Sequence, residues 1–325
     1  MDASHCGNCS SPTYHQLHYS RDYASREPPE TAHCSQQGLV RSIPDNTIFD
    51  PRRYYDSAYY GQEGRLFPFL MERLVRAFRH SRAIFIKHLR PQPGKILAIG
   101  RGRGWILAEL QGCSWECVGT EAAQELAEAA ERGNGIGVRL ATDTHDQFSS
   151  SSFDVITLWH TLEYTPDPFD TLKEVHGLLK SGGHIIVETP NYASLQSRLR
   201  RGRWFHLDVP RHLCKFSSAN LHSILQDQGI RVIKRRTLSL EYGFYGFSHT
   251  SLNFIVRQPY FSYMRPKWNH GSGRRWYSVS QKMDFLLTIF AAPLAIFFGV
   301  MLEIAAAIIG MGGVIQFTAI RHDKI

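Results

Sequence analysis

Four short apolar runs, at residues 95–99, 115–119, 153–158 and 183–188, alternate with stretches of helical periodicity at about 104–111, 121–132 and 168–180. Strand followed by helix, repeated, is the pattern of a parallel sheet covered by helices, because each parallel crossover needs a long returning segment. A helix–strand pair at 217–228 and 230–236 extends the pattern. Apolar residues at helical spacing between Leu66 and Leu89 place a helix ahead of it, and Val314–Ile320 reads as a last short strand. The expectation is an α/β fold in a 325-residue chain, long enough for one large domain or one domain with additions.

The first apolar run leads into ILAIGRGRGW, with Gly100, Gly102 and Gly104 at alternate positions. A glycine turn between a strand and a helix lets a ligand approach the backbone, although a tight turn alone also needs glycine. A dinucleotide fingerprint needs glycine at position 105, which is Trp105, and no Gly-Lys-Ser/Thr ending completes a P-loop. Glu121 ends the next apolar run, 21 residues after Gly100. That is the distance at which a carboxylate can accept both hydroxyls of a cofactor ribose.

Taken in order, ILAIGRGRG, VGTE, FDVITLWHTLEYTPDP and LKEVHGLLKSGGHIIVETPN resemble successive motifs of class I S-adenosylmethionine-dependent methyltransferases. WFHLDVPRHLCKFSSANLHSILQDQGIRV resembles the branch that includes ubiquinone-biosynthesis and sugar methyltransferases, and the whole likeness spans about residues 90–240. The resemblance implies a Rossmann-like sheet of seven strands, the last antiparallel, with helices on both faces and S-adenosylmethionine across its C-terminal edge. By position, Gly100, Gly102 and Gly104 line the methionine and ribose, and Glu121 binds the ribose hydroxyls. Asp143 lies near the adenine, Trp159 and His160 face the sulfonium, and Tyr59 and Tyr60 close over the cofactor. Two positions depart from the family pattern: Ala98 stands where an acid is usual, and Arg101 where a small residue or cysteine is usual. Losing the acid weakens a cofactor's ammonium contact by about 1–3 kcal/mol if nothing compensates.

Methyl transfer from a sulfonium requires alignment of nucleophile, carbon and leaving sulfur, often with removal of a proton. His160 and Glu163, three apart just after the third apolar run, are candidates for that proton, and His212 in Pro210-Arg211-His212 is a third. Some relatives hold magnesium here with Glu-x-x-Glu-His. The present His160-x-x-Glu163-Tyr164 keeps one carboxylate of those three ligands, which disfavours a hard cation.

Cys6-x2-Cys9 followed by Cys34 and Gln37 resembles a zinc ribbon whose fourth ligand is missing, so the metal set is Cys6, Cys9 and Cys34 and zinc is doubtful. Residues 1–60 are assigned to this segment, 61–240 to the cofactor-binding core, 241–313 to an aromatic and apolar insertion whose Gly-rich part, 241–282, is expected to be irregular, and 314–325 to a closing strand and tail.

The N-terminus lacks the apolar core of a secretory signal, so a cytoplasmic location is the expectation. From Phe285 to Leu302 there are eighteen residues without a charge. With a closing strand so soon afterwards, a hairpin or a helix lying in the membrane surface is expected over 285–312, its basic neighbours meeting anionic headgroups. A buried helix pair or a dimer interface is the alternative.

The formal net charge is +8, and ten Lys/Arg fall between Gln196 and Arg236 against Asp208 and Asp227. That favours an anionic partner. Nucleic acid is disfavoured, because no RNA-binding module and no Asn-Pro-Pro-Tyr-type signature is visible. The expected function is methylation, on oxygen, of a small-molecule or lipid-linked acceptor. A methyltransferase-fold scaffold without activity and an RNA methyltransferase are the rivals.

Overall fold

The computed structural model describes residues 13–17, 30–34, 36–43, 69–100, 104–121, 138–140, 147–200, 203–209, 211–239, 241–256 and 279–323. Cys6, Cys9, Tyr59, Tyr60, Arg101, Gly102 and Asp143, and the helix expected beyond Glu121, lie outside them. The chain forms two compact units. One comprises Arg73–Thr189, Leu221–Arg236 and Gln316–Ile325, here the sheet unit. The other comprises Met1–Glu72, Pro190–Asn220 and Thr237–Ile315, here the ribbon unit. Both units are assembled from separated stretches of chain.

The sheet unit is built on β4 (Lys95–Ile99), β5 (Glu116–Glu121), β6 (Val138–Leu140), β7 (Phe153–Trp159) and β8 (Leu179–Pro190), which pair in parallel. Two further strands, β10 (Ile230–Arg236) and β11 (Val314–Arg321), pair with each other antiparallel. The full order is β10-β11-β8-β7-β4-β5-β6, so the fold is α/β and Rossmann-like with a mostly parallel central sheet. Its inner strands read as continuous apolar runs because both faces are covered: Ile96, Leu97, Val155, Ile156, Ile185 and Ile186 have no exposed surface.

Helix α1 (Phe69–Leu89) and helix α2 (Trp105–Gln111) supply Ala83, Ile86, Leu107 and Leu110 to the core that also buries Trp115 and Val155. Helix α3 (Pro168–Leu178) starts where the sequence dictates. Asp167 caps it by accepting from the Phe169 and Asp170 N–H groups, and Pro168 occupies the first turn, where no donor is needed. The chain leaves β4 for β5 on one side and returns to β7 on the other. That reversal makes the C-terminal end of β4 the topological switch point, where open α/β sheets bind ligands.

In the ribbon unit β1 (Thr13–Leu17), β2 (Glu30–Cys34), β3 (Val40–Ile43) and the short β9 (Cys214–Lys215) form an antiparallel sheet in that order. The β2–β3 turn closes with the Gln37 N–H donating to Cys34 Sγ at 3.3 Å, and Gly38 takes φ +62°. Helices α4 (Leu195–Arg200), α5 (Ser218–Asp227), α6 (Gly243–Ile255) and α7 (Val279–Ile308) follow in chain order. Of these, α5 lies largely in the sheet unit.

Two expectations are corrected here. The glycine-rich stretch after 241 is not irregular throughout but contains α6. Its glycines mark close packing: a Cβ at Gly243 would overlap Glu303, and one at Gly246 would overlap His206. The apolar stretch is not a hairpin either; it is one helix that continues through Pro293. Glu303, which interrupts the apolar pattern in sequence, turns inward, and both of its oxygens accept from the Gly313 N–H at 3.0 and 3.1 Å.

Candidate active site

At the switch point β4 ends at Ile99 and Gly100 turns the chain with φ +65°, a left-handed conformation that favours glycine. Three strand ends meet at this turn. The Gly100 N–H donates to the Thr120 carbonyl of β5 at 3.1 Å, and Thr161, just past β7, donates its hydroxyl to the Ile99 carbonyl at 3.0 Å. A Cβ on Gly100 would overlap the Thr161 side chain, so glycine is needed for space as well as for torsion. Gly104, with φ +70°, opens α2.

Glu121 is buried at the tip of β5, paired in register with Leu140 of β6. Thr120 Oγ1 and Trp159 Nε1, on the strands flanking β4, are buried without a hydrogen-bond partner among the described residues. A glycine cradle, a carboxylate at the neighbouring strand tip and orphaned polar atoms at the switch point fit a nucleoside-bearing cofactor such as S-adenosylmethionine. Ala98 does not contribute: it packs against the Ile86, Leu107 and Val155 core.

Beyond β7 the chain places His160 at φ +50°. Its N–H donates to the Glu188 carbonyl at 2.8 Å, which pins the end of β7 to the end of β8. The ring bridges two carboxylates, with Nδ1 3.0 Å from Glu163 Oε1 and Nε2 3.3 Å from Glu188 Oε1. Glu188 also accepts from Arg82 of α1 at 2.9 Å, and the Arg82 guanidinium lies 4.9 Å from the Trp159 ring centroid.

Burial by itself lowers the His160 pKa, but hydrogen bonds from the ring to Glu163 and Glu188 outweigh it and raise the pKa to about 9. For Glu188 burial pushes upward, and the opposing charges of Arg82 and His160 hold the carboxyl below its ordinary value. Glu163 is 1% exposed, and its Oε2 has no hydrogen-bond partner among the described residues. His160 and Glu163 are thus brought together, but as an ion pair in which the imidazole is protonated at neutral pH. A protonated ring is a donor and does not accept a proton.

His212 belongs to the ribbon unit, where its Nδ1 is 2.9 Å from the His206 carbonyl and its Nε2 3.8 Å from Asp208 Oδ2. Beside it the buried Lys215 donates to Ser42 Oγ at 2.6 Å and to the His212 carbonyl at 2.9 Å, and burial pushes its pKa down to about 7. Arg211 pairs with Asp208. The basic run of the sequence is divided between burial and the two units. Arg211 and Lys215 are buried in the ribbon unit, and Arg231, Lys234, Arg235 and Arg236 belong to the sheet unit. Among the described residues no group of three His, Cys, Asp or Glu could hold a metal ion. Cys34 keeps the ribbon turn, with Gln37 at the fourth ligand position.

Glu188 and Arg82 were not among the candidates from sequence. Glu188 carried one signal, an acid at the end of an otherwise apolar run. Arg82 carried none, being one of several basic residues on α1.

A family profile described as "Methyltransferase domain" matches residues 68–235. Curated relatives include a ubiquinone biosynthesis O-methyltransferase of Aliivibrio fischeri, 26% identical over 103 residues, covering 30% of this chain and 44% of that protein. Another of the same description, from Pseudomonas aeruginosa, is 33% identical over 104 residues, with the same 30% and 44% coverage. The matches span less than half the length of these relatives. Among solved structures, a SAM-dependent methyltransferase from Archaeoglobus fulgidus matches with a TM-score of 0.45 and 17% identity, covering 78% of this chain and 98% of that one.

Proposed function

Because the chain belongs to the methyltransferase domain family, within the class I S-adenosylmethionine-dependent superfamily, we propose that it methylates an oxygen of a small-molecule or lipid-linked acceptor. The observation that carries this reading is the glycine turn at the switch point, with Glu121 at the tip of the adjacent strand. When bound there, S-adenosylmethionine supplies an electrophilic methyl carbon on a cationic sulfur. Bound between Gly100, Gly104 and Glu121, it would supply that methyl group to the acceptor oxygen, whose proton would pass to a carboxylate of the chain.

The chain's own residues divide the remaining work. Gly100 and Gly104 keep side chains away from the cofactor, and Glu121 accepts from the ribose hydroxyls. Gly102, Asp143 and Tyr60, assigned by resemblance, complete the cofactor set, and Trp159 faces the sulfonium. Glu163 Oε2 is the atom we assign to the acceptor's hydroxyl, because its partner oxygen is already held by His160 and it is itself unengaged among the described residues. His160, protonated, positions that carboxylate. His212 is a second candidate for the proton. Oxygen as the acceptor atom is supported by the descriptions of the curated relatives as ubiquinone biosynthesis O-methyltransferases. Contact with a membrane through 285–312 and its basic neighbours would place a cytoplasmic enzyme where a lipid-linked acceptor resides.

Calorimetric titration tests the reading. S-Adenosylmethionine is expected to bind the full chain, and Glu121→Ala to weaken binding about 10–100-fold, the range for a charged hydrogen bond, with an unchanged melting temperature. No heat from the wild type at high micromolar cofactor overturns the enzyme reading in favour of a scaffold, the rival that Ala98 supports.

A further inference from the structure

We infer that α7 is inserted in the hydrocarbon core of a lipid bilayer, with its stripe Asp284, Ala295, Gly299, Glu303 and Ala306 buried and, within that stripe, Gly299 and Glu303 set against α6. The inference is independent of the catalytic reading and differs from a helix lying on the membrane surface. A surface helix keeps a polar face toward water. On α7 the polarity is inverted: Asp284 and Glu303 are 2% and 1% exposed, whereas Phe290 and Ile308 are 76% and 80% exposed.

At 100° per residue the buried stripe occupies an arc of roughly 100°. Leu286, Ile289, Phe290, Leu294, Phe297 and Met301 are among the exposed residues that fill much of the rest of the circumference. A second protein surface covers one face of a helix, whereas lipid surrounds it, so a bilayer is the occupant that matches this distribution.

Length and contacts agree. Lys282–Ile308 is 27 residues, about 40 Å of helix at 1.5 Å per residue, and because β10 and β11 on either side of it pair in one sheet, it enters the hydrocarbon core from the side that holds the sheet rather than as a lone crossing. The contact with α6 uses small residues, as helix pairs in lipid do: a Cβ on Gly299 would overlap Ser248 Oγ, and Gly243 abuts Glu303. Pro293 inside the helix is tolerated in such segments. In sequence, 257–278 carries Arg257, Arg265, Lys267, Arg274 and Arg275 with no Asp or Glu, and includes Trp268 and Trp276. That composition suits an interface with anionic headgroups.

The test uses the full chain with phosphatidylethanolamine–phosphatidylglycerol vesicles containing a lipid with a diazirine at the end of its acyl chain. The protein is expected to float with the vesicles after high-salt and alkaline carbonate washes, and cross-links to map to Phe290, Leu294 and Phe297. The double variant Phe290→Glu/Phe297→Glu is expected to lower the vesicle-bound fraction at least about tenfold, while circular dichroism reports an unchanged helix content. Release by salt or carbonate, or cross-links that avoid α7, overturns the inference. So does a discrete dimer in vesicle-free buffer that does not partition into vesicles, since a second copy would then cover the face. None of these readouts depends on methyl transfer.

Discussion

His160 Nδ1 lies 3.0 Å from Glu163 Oε1, three residues further along the same turn, while the opposite ring nitrogen faces Glu188. The ring is therefore held as a cation between two buried carboxylates. Folded His160 keeps its proton to about pH 9, against 6.5 for the free side chain. The stability from this proton is complete below about pH 6.5 and is lost as pH rises through about 9. The difference in unfolding free energy between wild type and His160→Gln is expected to shrink by on the order of 1–3 kcal/mol across that window. Chemical denaturation at a series of pH values measures it, and a difference that does not change with pH refutes the bridged arrangement.

Lys215 tilts the balance the other way. Its folded pKa of about 7 lies below the ordinary 10.5, so between these values the unfolded chain holds a proton that the folded chain has released. Stability from this site rises with pH over the window. Comparison with Lys215→Met isolates the effect: wild-type stability relative to the variant is expected to increase by on the order of 3 kcal/mol between pH 7 and pH 10.

Arg82 and Glu188 are joined by a 2.9 Å contact, with side chains 15% and 7% exposed. Removing one partner strands the other charge. Arg82→Met is expected to destabilise the protein by roughly 2–4 kcal/mol, and Arg82→Met/Glu188→Gln to recover a substantial part of that loss. A double-mutant cycle in urea reads the coupling, and additivity of the two single changes would show that the pair is not coupled.

Gly100→Ala combines an unfavourable torsion with overlap on Thr161. A loss of roughly 2–4 kcal/mol is expected, about 1–2 from the left-handed conformation and the remainder from overpacking, with weaker cofactor binding. Gly112→Ala is the control, because Gly112 has a right-handed torsion and only ordinary contacts around a Cβ.

What the sequence disclosed follows from the physics of each feature. Strands buried on both faces, such as β7, leave an apolar run that can be read directly, and Asp167-Pro168 announces the start of α3 within a residue. The glycine turn and Glu121 were legible because a fixed spacing on a strand–helix unit dictates them. The Arg82–Glu188 pair joins residues 106 apart, and no local pattern encodes such a pairing. Likewise β9 is two residues long, too short for any periodicity. In α6 glycine signals a loop by composition, yet serves as space for Glu303 and His206. The charge on His160 was also invisible, since it depends on which carboxylates surround the ring.

The antiparallel pair at the sheet's edge sets an order on biosynthesis. In that sheet β10 adjoins only β11, and the intervening Thr237–Ile315 belongs to the ribbon unit and contains α7. A ribosome delivers β10 first and must then thread the whole of α7 before the strand that seats it emerges. Until that moment the nascent sheet has β8 as an open border, and the commitment of α7 to its own surroundings precedes closure of the cofactor-binding sheet.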